Sequence, residues 1–314
     1  MTMTMRAILK GIAVMLLLVC TAIENPGQAP RRFEKVHNID KSLITEHNSG
    51  LLSIDKELAL GDAFASEFEK SVNVVTDPSV VDLIGRIGQN LIVYSDLKIP
   101  CKFKVIDTDE MDVWVPIGGR VYVNRGLIKA ADSEAELAGA MANGIAHIAA
   151  RHTARFLAAM MSEETAKQIS FPALFTGHWS ALNNFKMSPD LSDLDTLDVT
   201  EREFEREADR LAIQYLWDAG YDPDSYTTLL RSLLEHAKEM ADADGQFSSF
   251  IQATKDRIAA SITERNRFPQ KDHYVVNTSE FDRVKRRLQE IENAQKAEQE
   301  EIKSIEQKRP ILKR

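Results

Sequence analysis

The chain has 314 residues, of which 44% are hydrophobic, and a formal net charge of −9. A chain of this length can bury one large core or two modest ones. Its acidic balance gives no support for nucleic-acid binding, which requires a basic face.

Residues 1–22 have the pattern of a secretory signal peptide. Arg6 and Lys10 form its positive region, and residues 11–20 form an apolar stretch that is too short to span a bilayer. The residues that end at Cys20 also resemble a bacterial lipobox, although a larger residue than usual precedes the cysteine. Cleavage of the signal and lipidation of Cys20 therefore both stay open. We expect an exported protein, periplasmic or attached to the cell envelope, with a membrane-surface contact if Cys20 is lipidated.

A polar lead-in, residues 23–50, is predicted to be disordered. Two helices and three strands should follow it. The helices are predicted at 54–72 and 78–94, and the strands at 102–107, 113–115 and 120–123. Gly118 and Gly119 lie between the last two strands and indicate a hairpin turn.

A capping box formed by Ser133 and Glu136 predicts the start of the central helix. In a zinc peptidase helix, the pattern H-E-x-x-H places two imidazoles one turn apart on one metal, with the glutamate beside them as general base. Here the same window begins with Asn143 and Gly144 and ends with His147. The second histidine is present, whereas the first histidine and the glutamate are missing.

The rest of the chain is predicted to be mainly helical. Residues 170–199 are long for a structureless loop and should cover another part of the protein. A second capping box, Thr200 and Glu203, predicts another helix start, and two or three helices should lie between 224 and 263. The charged segment 279–307 is predicted to be one long helix with a partial heptad pattern. Packing of its first turns against the protein and a coiled-coil contact both stay open.

Several motifs occur in an order that resembles metallopeptidase family 48, the gluzincins that include HtpX-type heat-shock and CAAX prenyl proteases. They are PIGGRVYVNRGL at 116–127, EL at 136–137, IAH at 145–147, ARH at 150–152, EREAD at 205–209 and AGYDP at 219–223. The resemblance is strongest to soluble, exported bacterial members. It implies an α+β fold: a mainly helical, zincin-like core with a small antiparallel sheet, plus a long C-terminal helix. We expect a peptidase-like domain at 51–263, followed by an irregular segment and the long helix within 264–314.

The resemblance also implies a role for individual residues. The two zinc histidines of the family fall on Asn143 and His147, and its catalytic glutamate falls on Gly144. Its third zinc ligand falls on Glu205, and an aspartate that supports the ligands falls on Asp209. The scaffold of the site is therefore retained, while part of the reaction centre is lost.

Physical chemistry shows what the missing groups would cost. A catalytic zinc normally has three protein ligands and a water. Two good donors remain here, His147 and Glu205, because Asn143 offers only a neutral amide oxygen. General-base catalysis is typically worth about 10²–10⁴-fold, and Gly144 cannot supply it. Glycine also destabilises a helix by about 1 kcal/mol relative to alanine. The sequence gives no reason for a glycine at this position unless neighbouring groups approach the helix closely. His152, five residues after His147, should point away from the site on a continuous helix.

Three functions stay open, so the sequence leaves undecided whether the chain is an enzyme. The favoured one is an exported pseudopeptidase, with weak zinc binding or none, that binds protein or peptide chains in the old substrate groove. The hairpin of Gly118 and Gly119 would supply the strand beside that groove. The alternative is an active zinc endopeptidase that cleaves envelope proteins with an atypical site. The third is a structural or assembly protein that acts through the long C-terminal helix.

Overall fold

The computed structural model describes residues 53–160, 194–240 and 248–308. The predicted signal peptide, the lead-in and most of the 170–199 connection lie outside these ranges. The described helices are α1 (Ile54–Phe68), α2 (Pro78–Tyr94), α3 (Arg125–Ala130), α4 (Glu134–Ala149), α5 (His152–Met160), α6 (Leu194–Ala219), α7 (Asp224–Met240), α8 (Ser248–Arg265) and α9 (Ser279–Lys308). The described strands are β1 (Val74–Val75), β2 (Lys102–Ile106), β3 (Val113–Trp114) and β4 (Arg120–Asn124).

The mainly helical α+β class is confirmed, and one strand pairing differs from expectation. The four strands lie in the order β1-β2-β4-β3. β3 and β4 form the predicted antiparallel hairpin, but β2 and β4 are parallel, with Phe103 opposite Val121. The sheet is therefore mixed, and the expectation of antiparallel pairing fails for β2 and β4 alone among the described strand pairs. The chain leaves β2, crosses to the far edge to form β3, and returns as β4 between them, in the same direction as β2.

Helix α4 lies at the centre of the protein. It contacts α2, α6, α7 and the strands β3 and β4. All of its residues are buried except Ala140, which is half-buried. A helix that is apolar almost all round is stable only inside a core, and the many alanines and glycines of α4 let its neighbours approach closely. The predicted helix start is confirmed, because the Ser133 hydroxyl accepts a hydrogen bond from the backbone N–H of Glu136. The Glu136 carboxylate accepts from the N–H of Asp132, one residue before the position that a capping box requires.

The junction between α4 and α5 is a sharp break at Arg151. This residue has a φ of 54°, in the left-handed region, which costs a non-glycine residue about 1–2 kcal/mol. Its buried guanidinium holds the conformation by pairing with Glu57 of α1, at 2.9 Å from Nε and 2.8 Å from Nη2 to the same carboxylate oxygen. The central helix is therefore not continuous through this region.

Two further predictions concern the second half of the chain. Helix α6 begins at Leu194 rather than at the capping box of Thr200 and Glu203, which lies inside the helix. That start is wrong because a capping box is a local signal, and the acidic residues before it also suit a first helical turn. The long helix α9 is confirmed, and the side chains of Phe281, Val284 and Leu288 bury its beginning. Among the described residues, no helix has the length and apolar character that a membrane span requires.

Candidate functional site

Packing of α4 against α6 brings the predicted site residues together. Asn143, Gly144 and His147 lie on α4, while Glu205 and Asp209 lie one turn apart on α6. The Nε2 atom of His147 is 3.3 Å from Oε1 of Glu205. The amide nitrogen of Asn143 is 3.1 Å from Oδ1 of Asp209. Residues far apart in the chain thus converge as the family pattern implied.

The His147–Glu205 pair has the separation of two ligands on one zinc ion. Ligand atoms bound tetrahedrally at about 2.0–2.2 Å lie about 3.4 Å from each other. However, no group of three or more His, Cys, Asp or Glu residues that could hold a metal is found in the described ranges. Three later histidines are the remaining candidates for a third ligand: neither His236 nor His273 belongs to such a group, and His178 lies outside the described residues.

Asn143, at the predicted position of a ligand histidine, makes two buried hydrogen bonds. Its amide nitrogen donates hydrogen bonds to Asp209 and, at 3.0 Å, to the hydroxyl of Tyr226. The carboxylate of Asp209 can only accept, so the nitrogen and not the oxygen faces it. An asparagine side chain reaches as far as the Nδ1 edge of an imidazole. It therefore reaches Asp209 but has no distal ring nitrogen to bind a metal.

Arg257 of α8 is a central residue of the site that sequence reasoning missed. Its Nε donates to Oδ2 of Asp209 at 2.9 Å, and its Nη2 donates to Oδ1 at 2.7 Å. The same Nη2 lies 3.1 Å from Oε2 of Glu205 and 3.0 Å from the Tyr226 hydroxyl. Burial by itself lowers the pKa of Arg257, but Asp209, Tyr226 and Glu205 together raise it well above its ordinary value. A fixed positive charge therefore lies beside two of the predicted site carboxylates.

No local pattern marks Arg257 in the sequence, because α8 carries several charged residues. The one available signal was indirect. Glu205 and Asp209 lie one turn apart on a helix with a buried face, and buried carboxylates need a positively charged partner. A positively charged side chain is therefore expected beside these carboxylates, but the sequence does not identify which residue supplies it.

The break at Arg151 also redirects His152, which the sequence led us to expect elsewhere. Its Nδ1 lies 3.0 Å from Nδ1 of His147, and its Nε2 lies 3.1 Å from a carboxylate oxygen of Glu207. Burial lowers the pKa of His152 to about 4, so the ring is neutral at pH 7. Its one N–H then faces Glu207, and its Nδ1 accepts a hydrogen bond from His147. This arrangement leaves Nε2 of His147 directed toward Glu205.

Gly144, the predicted position of the general base, lies against the side chains of two valines. A methyl group placed on Gly144 would lie 2.9 Å from Cγ2 of Val115 and 3.3 Å from Cγ1 of Val113. The first distance is shorter than carbon atoms tolerate, and both valines are buried. The glycine is therefore explained by close packing of the β3 region against α4.

The glycines at the tip of the hairpin have other neighbours. Gly118 and Gly119 both have a positive φ, 87° and 73°. A side chain on Gly118 would collide with Gly61 of α1, and one on Gly119 with the carbonyl oxygen of Pro100. Both glycines are buried, so they serve the turn and its packing. The part of the hairpin that lies beside α4 is β3, at one edge of the sheet.

Comparisons with known proteins agree with the family pattern. Residues 82–282, more than half of the chain, match the family described as Peptidase family M48. A beta-barrel assembly-enhancing protease of Escherichia coli strain K12 is 31% identical over 198 residues, which cover 60% of this chain and 39% of that protein. Its namesake from Yersinia pestis is 27% identical over 199 residues, with the same coverage. A relative from Vibrio cholerae is 31% identical over 230 residues, which cover 69% of this chain and 46% of that protein. The chain thus matches less than half of the length of each of these relatives.

Proposed function

The chain belongs to peptidase family M48, and we propose that it is a non-cleaving member that binds protein or peptide chains in the former substrate groove. In this function the protein has the scaffold of the family and does not carry out its hydrolytic step. The relatives are named for enhancing β-barrel assembly, so partly folded β-barrel proteins of the cell envelope are the proposed partner class. The predicted export would bring the chain into the same compartment as these partners. Export and lipidation of Cys20 remain predictions, and mass spectrometry of the mature N-terminus would test them.

The packing at Gly144 is the observation that carries the proposal. Any side chain at this position, including that of a general base, would begin with a Cβ only 2.9 Å from Cγ2 of Val115 and 3.3 Å from Cγ1 of Val113. Without that base, hydrolysis loses a contribution that is typically about 10²–10⁴-fold. The loss is therefore supported by a filled space as well as by the missing carboxylate.

The residues present do not fit a catalytic zinc ion. His147 and Glu205 offer two ligand atoms at a suitable separation, but catalytic sites normally have three protein ligands. The amide of Asn143 is engaged with Asp209 and Tyr226. In addition, the positive charge of Arg257 lies 3.1 Å from Glu205 and would repel a metal ion. We therefore propose weak zinc binding or none, and no hydrolytic step.

Peptide binding needs none of the lost groups. An extended segment can add to the edge of a sheet through main-chain hydrogen bonds, and β3 is an edge strand of the described sheet. The edge of β3 is thus the proposed binding surface. Its recognition would depend on backbone geometry and on the side chains beside β3, with no requirement for zinc.

Zinc content and activity of the purified mature chain test the proposal. We expect far less than one zinc per chain after dialysis against a mild chelator, and no cleavage of casein. Asn143→His should then raise zinc content, and the triple variant Asn143→His/Gly144→Glu/Val115→Ala should add cleavage that 1,10-phenanthroline blocks. Stoichiometric zinc together with inhibitor-sensitive cleavage by the unmodified chain would instead establish the active endopeptidase.

A truncation separates groove binding from assembly through the C-terminal helix. The described residues of α9 after Glu292 are mostly exposed, whereas Lys129 still pairs with Glu292 itself. Ending the chain after Lys296 should therefore preserve the fold. Binding of an unfolded β-barrel segment, measured by fluorescence anisotropy, should persist in this variant. Its loss, with an unchanged urea midpoint of unfolding, would support the assembly function.

A further inference from the structure

We propose that helix α1 is a clasp that couples the β3–β4 hairpin to the position of His152. The helix contacts the hairpin and also pairs with Arg151, the residue that breaks the chain between α4 and α5. Displacing α1 from the hairpin should therefore turn His152 away from His147. This conformational coupling goes beyond the proposed function, because it requires neither peptide binding nor the absence of cleavage.

One turn of α1 contacts the hairpin and the break at the same time. Gly61 packs backbone to backbone against the hairpin, since a methyl group on it would lie 2.5 Å from the carbonyl oxygen of Ile117. One turn earlier, the carbonyl oxygen of Glu57 would lie 2.8 Å from a methyl group on Gly118. The carboxylate of the same Glu57 accepts from Arg151 at 2.8 and 2.9 Å. Glu57 thus joins the two contacts within one residue.

Aromatic side chains attach the second half of α1 to the same hairpin. The ring of Phe68 lies 4.4 Å from that of Trp114 on β3 and 5.1 Å from that of Tyr122 on β4, both edge to face. Phe64 meets Trp114 in the same way at 5.2 Å. Edge-to-face pairs are a favoured aromatic geometry. A shift of the hairpin is therefore expected to move α1, and with it Glu57.

The break determines where His152 lies. Arg151 has a φ of 54°, which a non-glycine residue keeps only where its surroundings hold it. Its side chain and that of Glu57 are 6% and 4% exposed, and loss of one partner from a buried pair strongly weakens the structure around it. On an unbroken helix, His152 would lie about 140° around the axis from His147. Here their Nδ1 atoms are 3.0 Å apart, so this contact depends on the left-handed residue.

The test measures how fast diethyl pyrocarbonate modifies His152 in the full mature chain at neutral pH, followed by peptide mass spectrometry. His152 is fully buried, whereas His273 is exposed and serves as the internal reference. His152 of the unmodified chain should react about tenfold more slowly than His273, since it reacts only after local opening. Gly61→Ala pushes α1 from the hairpin and leaves Glu57 and Arg151 unchanged. It should accelerate labelling of His152 by about threefold or more, as the population shifts toward the displaced clasp.

Arg151→Gly tests whether the effect passes through the break. Glycine adopts a φ of 54° without strain and needs no ion pair to hold it. His152 should therefore stay protected in this variant, and adding Gly61→Ala should no longer accelerate its labelling. Arg151→Ala loses the same ion pair but is strained at this φ, so it should expose His152.

Leu288→Ala is the control for a general loss of stability. Leu288 is buried near the start of α9, which packs mainly against α2 and α3. Its truncation destabilises the core but leaves the clasp intact, so His152 should stay protected. The same acceleration in this control as in Gly61→Ala would overturn the inference.

Unchanged labelling of His152 in Gly61→Ala would also overturn it, as would equal acceleration with and without Arg151→Gly. If Gly61→Ala is unfolded as purified, Glu57→Gln alone and combined with Arg151→Gly makes the same comparison from the other contact of the clasp. These outcomes are independent of the proposed function, which zinc content and cleavage test.

Discussion

Gly144→Ala should destabilise the protein, although alanine is the better helix former. The new methyl group would lie 2.9 Å from Cγ2 of Val115 and 3.3 Å from Cγ1 of Val113. Replacing glycine in a helix interior gains about 1 kcal/mol, whereas overpacking a core costs about 1–3 kcal/mol. Valine is stiff about χ1, so the backbone has to move. We expect a net loss of up to about 2 kcal/mol.

Val115→Ala tests the cause of that loss. Alone, it should cost about 2–3 kcal/mol, because it removes buried methyl groups and leaves a cavity. In this background, Gly144→Ala should stabilise the protein by about 1 kcal/mol, since the helix gains and the collision is gone. The coupling between the two substitutions should therefore be about 1–3 kcal/mol in the stabilising direction.

Urea unfolding followed by circular dichroism measures all four proteins of this cycle. The free energies are comparable where the m-values agree, because the same surface is then exposed on unfolding. The reasoning would be refuted if Gly144→Ala stabilised the unmodified chain by about 0.5–1 kcal/mol and the two substitutions were additive. In that case the glycine would be an ordinary helix position, and the former base position would not be filled.

Two further predictions concern buried charges. Burial raises the pKa of Glu134, but hydrogen bonds from Arg86 and Thr278 outweigh it and hold the pKa below its ordinary value of 4.5. This stabilisation is fully present above pH 4.5 and is lost as the pH falls further, so Glu134→Gln should flatten the acid limb of stability measured by urea midpoints between pH 3 and 6. Arg151→Gly should destabilise by about 1–4 kcal/mol: it relieves a strained φ worth about 1–2 kcal/mol but leaves Glu57 buried without its guanidinium, a change that costs about 3–5 kcal/mol. Adding Glu57→Gln should recover part of that loss in thermal unfolding, and no recovery would contradict the buried pair.

Local signals were sufficient for most of the elements. The proline after Asp77 and the spacing of apolar residues predicted α2 with both of its ends. The capping box at Ser133 predicted the start of α4, and the paired glycines predicted the β3–β4 hairpin. These features depend on hydrogen bonds and side-chain periodicity within a few residues, so they can be read without knowing the rest of the fold.

The sequence by itself also determined which groups are absent, since no packing can make Asn143 an imidazole or Gly144 a base. The tertiary structure decided which groups surround these positions. Arg257 lies 48 residues from Asp209 in the chain, and the valines that fill the space at Gly144 come from the hairpin before α4. His152 reaches His147 because one left-handed residue breaks the helix between them. Such contacts form between residues that are distant in the chain. Burial then requires the charges and volumes of the contacting side chains to match, and no local sequence pattern shows which residues will meet.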